Sequence, residues 1–144
     1  LYEQVAADSA RLLGPDHPQT LASSNNLAYA YQSAGRLDEA IPLYEQVAAD
    51  SARLLGPDHP DTLASSNNLA GAYESAGRLD EAIPLYEQVA ADTRRVLGPD
   101  HPQTLASRNN LAAAYKAAGR LDDAKALFDP PTDPDGTGTD RADI

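Results

Sequence analysis

Polar and apolar residues follow each other along this chain with two helical periods that keep returning. Between Pro18 and Ala34, the residues Leu21, Ser24, Leu27, Ala28, Tyr31 and Ala34 recur at helical spacing and share one face. From Leu37 to Leu55, a broader stripe runs through Leu37, Ala40, Ile41, Tyr44, Val47, Ala48, Ser51, Leu54 and Leu55. Alanine is abundant on both stripes, so the two helix axes can approach closely. Gly35-Arg36 breaks the first helix in a short turn, and Gly56 ends the second, where a positive φ is easily placed.

The pair of helices is a repeating unit. Shifted by 42 residues, Leu1–Pro42 matches Leu43–Pro84 at all but three positions: Gln19/Asp61, Tyr29/Gly71 and Gln32/Glu74. A further copy, Leu85–Ala126, diverges mainly towards its end. Such near-identity implies recent duplication or design, and it makes successive interfaces chemically alike. The linker Gly-Pro-Asp-His-Pro recurs with the same period, at residues 14–18, 56–60 and 98–102. Gly stops one helix, the first Pro prevents its resumption, and the second Pro begins the next helix, where its missing N–H is no loss. The linker His is expected to cap or pack in that turn. A metal site is the alternative, disfavoured because one His per repeat leaves the copies a helix-pair width apart. Pro42 and Pro84 fall early in their helices, where a slight kink is expected.

The stretch NNLAYAYQSAGRLDEAIPLYEQV resembles a tetratricopeptide repeat at Leu27, Ala28, Tyr31, Gly35, Leu37, Ala40, Tyr44, Val47 and Ala48. The long second helix, the linker and the paired Asn are similar to the 42-residue type of kinesin light chains. The family's frequent large aromatic early in the first helix is missing, with Ser24, Ser66 and Arg108 in its place. The resemblance implies an all-α fold, a right-handed solenoid of stacked antiparallel helix pairs over residues 1–128. The chain enters inside a repeat: a second helix, two full repeats, and a third cut short at Leu121–Phe128, about seven helices. Residues 129–144, with five Asp against one Arg among Pro, Gly and Thr, form an acidic tail not expected to fold alone.

The resemblance also implies a protein-interaction scaffold whose first helices line a concave groove for an extended peptide. Opposite the apolar stripe lie Ala22, Asn26, Tyr29 and Ser33, with equivalents Ala64, Asn68, Gly71 and Ser75, then Ala106, Asn110, Ala113 and Ala117. An Asn amide can both donate to and accept from a peptide backbone. The candidate partner-binding residues are therefore Asn26, Asn68, Asn110, Tyr29, Ser33, Ser75, Arg108 and Lys116. The alternative for these Asn, and more so for Asn25, is to bond neighbouring helices and hold the superhelix. Family members that grip a C-terminal carboxylate use Lys or Arg here, whereas Ala22, Ala64 and Ala106 occupy the first groove position.

Charge narrows the partners further. The chain carries 11 Lys and Arg against 22 Asp and Glu, a formal net charge of −11. That balance excludes a basic footprint for nucleic acid and disfavours an anionic membrane surface. No apolar run approaches the roughly 20 residues that span a bilayer. Cysteine is absent, which removes disulfides, thiolate metal sites and a cysteine nucleophile. There is no Asn-x-Ser/Thr sequon, phosphate loop or metal-ligand cluster. The recurrent Asp-His pair has no nucleophile or oxyanion site attached, so neither an enzyme nor a cofactor is expected. The initial Leu suggests a fragment or processed product, and a cytoplasmic scaffold is the family default.

A second function follows from the register. Leu127-Phe128 matches Leu1-Tyr2, so another copy could continue the solenoid head to tail. Such a contact need not close and would build a filament, extracellular in that case. Its joint would involve Leu1, Tyr2, Val5, Ala112, Tyr115, Leu127 and Phe128.

Overall fold

The computed structural model describes residues 1–128; expectations about the tail at 129–144 lie outside the described residues. Seven helices follow one another: α1 (Tyr2–Leu13), α2 (Pro18–Ser33), α3 (Leu37–Leu55), α4 (Pro60–Ser75), α5 (Leu79–Leu97), α6 (Pro102–Ala117) and α7 (Leu121–Ala126). Packing runs from each helix to the next. That nearest-neighbour pattern, with no strand among the described residues, is a helical solenoid.

Each boundary has a local cause. In the linker, His17, His59 and His101 are N-caps whose Nδ1 accepts from the backbone N–H two residues on, at 3.1 Å each. The following prolines stand at the first helical position. At the other end of α2, Gly35 turns to φ +77°, so its N–H reaches the Gln32 carbonyl at 3.0 Å and the Arg36 N–H reaches Tyr31 at 2.8 Å. These two bonds are the Schellman closure, repeated after α4 and α6. It swings the Arg36, Arg78 and Arg120 guanidiniums over the Tyr31, Tyr73 and Tyr115 rings, 4.5–4.7 Å from the centroids. Pro42 and Pro84 sit exposed inside α3 and α5, which run unbroken through them.

The core is a row of clusters. Ala28, Ala40, Ile41 and Tyr44 pack with Leu69 and Ala72; Ala70, Ala82, Ile83 and Tyr86 pack with Leu111, Ala112, Ala114 and Tyr115. Tyr73 and Leu85 touch both and join them. The second-helix stripe is as expected through Ser51, but Leu54 and Leu55 remain partly exposed at the helix end. The first-helix face differs more. Thr20 and Ser23 are buried in α2, while Ser24 and Leu27 are only half covered and Ala34 is exposed. Hydrogen bonding makes that burial tolerable. The Thr20 hydroxyl donates to the Ser9 and Gly14 carbonyls at 3.0 and 2.7 Å, and Ser23 donates to Gln19 at 2.9 Å.

Candidate protein-binding face

Tight turns put the first helices α2, α4 and α6 side by side, and side chains exactly one repeat and one residue apart lace them. Asn68 Nδ2 donates to Asn25 Oδ1 and Asn110 Nδ2 to Asn67 Oδ1, both at 3.3 Å. Gln32 Nε2 donates to Ser75 Oγ at 3.1 Å. Behind this row, phenols from the second helices reach through: Tyr44 donates to Gln32 Oε1 and Tyr86 to Glu74 Oε2, both at 2.9 Å. Burial, then the neighbouring Tyr29, pushes the Tyr44 phenol up to about 12. Burial and the bond to Glu74 raise Tyr86 as well. Both phenols therefore stay protonated at neutral pH and act as donors that fix the row, not as nucleophiles.

Asn26, Tyr29, Ser33, Asn68, Ser75 and Lys116 are exposed, and Asn110 is half-buried. The Asn pairs divide the work: Asn25 and Asn67 accept across the interface, while Asn68 and Asn110 each spend one donor on it. Each of the latter keeps an N–H and its amide oxygen for another partner. Between α2 and α4 this lacing leaves a crevice of about 310 Å³, lined by Leu21, Ala22, Asn25, Val47, Leu54, Leu55, Asp61, Ala64 and Asn68.

Arg108 is not part of the row. It stands where Ser24 and Ser66 stand, on the side facing second helices, with its guanidinium 4.9 Å from the centre of the Phe128 ring. There it lines a larger cavity of about 640 Å³ together with Ala90, Arg94, Leu105, Leu111 and Phe128. The cavity exists because α7 ends at Ala126, whereas α3 and α5 run on for three more turns. The residues of the expected joint differ in exposure. Ala112 and Tyr115, meant to receive an incoming copy, are only 4% and 6% exposed, already packed on α5 and α7. The Tyr115 hydroxyl donates backwards to Glu87 at 3.0 Å. By contrast Leu1, at 97%, Tyr2, Val5 and Phe128 are exposed.

Two features had no apolar signature to find them. Inter-repeat ion pairs join Arg53 to Asp16 and Arg95 to Asp58, both at 2.7 Å, and the guanidinium bond holds each carboxyl below its usual 3.8. The Thr and Ser that are buried between helices recur with the 42-residue period, at Thr20, Thr62 and Thr104, at Ser23 and Ser107, and at Ser51 and Thr93, and that recurrence was the available clue.

Among the described residues no group of His, Asp and Glu could hold a metal, and no helix is long and apolar enough to cross a membrane.

Helix pairs with these turns, stacked in register, define a helical-repeat scaffold. The sequence pattern of the tetratricopeptide repeat matches residues 1–49, 22–92 and 67–129, and the chain belongs to that family. A Podosopora anserina protein described as a kinesin light chain with nearly identical TPR-like repeats is similar, at 45% identity and a TM-score of 0.80 over 88% of this chain and 60% of its own. BtubC (BKLC) from P. vanneervenii has a similar fold, with 25% identity and a TM-score of 0.78 over 88% of this chain and 51% of its own. The chain thus spans at most 60% of the length of either protein. No curated protein matches it. Repeats of this family generally mediate protein–protein interaction and are typically non-catalytic.

Proposed function

We propose that the face shared by α2, α4 and α6 holds an extended peptide or partner segment, and that the chain serves as a cytoplasmic scaffold without catalysis. The observation behind this is the laced Asn row, in which Asn68 and Asn110 each spend one N–H between helices and keep a donor and an acceptor for a partner. Tyr29, Ser33, Ser75 and Lys116 flank it and would distinguish one end of the ligand from the other. A displayed peptide library selected on the wild type provides the test. Selected peptides should lose at least roughly tenfold in affinity to the variant Asn26→Ala, Asn68→Ala, Asn110→Ala, about 1.4 kcal/mol. Unchanged binding, with an unchanged helical circular dichroism spectrum, would sink the proposal.

Continuation between chains is the second reading, and one series of contacts favours it. Tyr2–Leu13 repeats Tyr44–Leu55 residue for residue, and none of its residues is buried. Arg53 and Arg95 each reach back to a linker Asp, but among the described residues Arg11 bonds only Asp8 and Asp100 has no partner. An incoming α1 would bring Arg11 to Asp100. Arg108, larger than the internal Ser, takes part of the space that α1 would need, which places this reading second. Light scattering over a concentration series should then show long particles that Val5→Glu disperses. A monomer at every concentration would remove the filament.

A further inference from the structure

The three first helices are nearly the same sequence, yet their opening turns differ: Gln19, Asp61 and Gln103. At the junction of α4 and α6, Gln103 Nε2 donates to the Pro60 carbonyl at 3.2 Å, which ties the helix starts together. With the Asn110–Asn67 bond, that junction is laced at two points. At the junction of α2 and α4 the Asn68–Asn25 bond is present, but an Asp61 carboxylate has no N–H to offer Pro18. An ionised carboxylate and a carbonyl oxygen repel instead. The same turn of α4 is loose in another respect. Thr20 and Thr104 donate to carbonyls of the preceding second helix, at Ser9 and Thr93, whereas the buried Thr62 hydroxyl has no partner among the described residues.

The same junction holds the crevice of about 310 Å³, at the lower end of the range for ligand pockets. Leu21, Val47, Leu54 and Leu55 give it apolar walls, and the exposed Asp16 and Asp61 also line it. Asp16 is already engaged by Arg53. Asp61 is the carboxylate left over: its nearest ion-pairing group is His59 Nδ1 at 4.0 Å, a nitrogen that accepts the Asp61 backbone N–H. The dipole of α4 offsets part of its charge, but the chain's net −11 adds to the negative potential around it.

We infer that the crevice between α2 and α4 is an anchor site for a peptide residue with a bulky apolar side chain next to a Lys or Arg, kept open by Asp61. The proposal rests on the peptide-binding reading of the shared face, and it makes the α2–α4 junction the point where an otherwise uniform groove acquires a register. The apolar side chain fills the crevice, at a junction that lacks the Gln103 tie found one repeat later. The neighbouring cation meets Asp61.

Two variants and two probes test it. Asp61→Gln restores the residue found at positions 19 and 103, so the fold accommodates it. It should lower the affinity of selected peptides roughly tenfold or more, as expected for expelling one apolar anchor. Asp61→Asn, too short to bridge, should keep the apolar anchor but lose the preference for an adjacent Lys or Arg. Separately, phenethylammonium titrated into labelled protein should shift amide signals of Leu21, Val47, Leu54 and Ala64, and benzyl alcohol should do so more weakly. Asp61→Gln should abolish those shifts. Peptides that need the Asn row yet bind Asp61→Gln unchanged would overturn the anchor site while leaving the groove intact. Probe shifts at the crevice without any selected peptide would instead retire the groove and keep the site. Probe shifts scattered over the surface, or unchanged in Asp61→Gln, would also overturn it.

Discussion

Replacing Gly71 by Ala should stabilise the array by about 0.5–1 kcal/mol. Gly71 lies inside α4 with ordinary helical geometry, so it pays the backbone entropy of a mid-helix glycine without using its freedom. An added Cβ would meet only the Tyr86 hydroxyl, at 3.5 Å, an ordinary van der Waals contact. The hydroxyl keeps its bond to Glu74, so no polar group is orphaned. The equivalent positions are Tyr29 and Ala113, both exposed, and both show that a side chain here leaves towards solvent. A stabilisation of this size should raise the thermal midpoint by ~3–5 °C for an array of this length. Circular dichroism melts of Gly71→Ala, with Ala113→Gly as the reverse control, measure it directly. If Ala113→Gly destabilises as expected but Gly71→Ala does not stabilise, the account of the Tyr86 hydroxyl as an ordinary contact is wrong.

Three other perturbations follow from the packing. Leu69→Ala, in the cluster that joins α3 to α4, should cost ~2–5 kcal/mol in a urea titration. His59→Ala removes one N-cap and should cost about 1 kcal/mol; loss of a metal-dependent property instead would contradict the capping role. Because Arg53 and Arg95 lower the pKa of Asp16 and Asp58 below 3.8, the stability these pairs supply is present above that value and is lost as pH falls through the lowered pKa. The melting difference between wild type and the double variant Arg53→Gln, Arg95→Gln should be small at pH 7, as for exposed pairs, should shrink with salt, and should vanish in strong acid. A difference that persists in strong acid would assign the effect to packing of the Arg stems.

Local chemistry was legible in this chain, and the reason is physical. Gly35 and Gly56, the linker prolines and the His caps act through bonds spanning a few residues, so their roles could be deduced before any packing was known. The 42-residue period likewise determined the order and number of helices, since each helix pair must bury its stripe against the next. Tertiary structure alone decided matters that depend on distant groups. The burial of Thr20 depends on the Ser9 carbonyl of the preceding helix, and that of Ser23 on the Gln19 carbonyl of its own helix and the Ser9 hydroxyl opposite, which makes polar residues suitable for an interior that periodicity assigns to apolar ones. Arg108 falls on the stripe's face, as Ser24 does, but what its guanidinium meets there, the Phe128 ring, is set by where α7 stops. Tyr115 lies on the stripe's face and is buried, but that its hydroxyl meets Glu87, 28 residues earlier, is set by the stacking of the repeats. The difference between Asp61 and Gln103 is visible in the sequence, but its effect depends on whether a side chain reaches the carbonyl of the neighbouring helix. That is a distance between repeats, and only the stacked structure determines it.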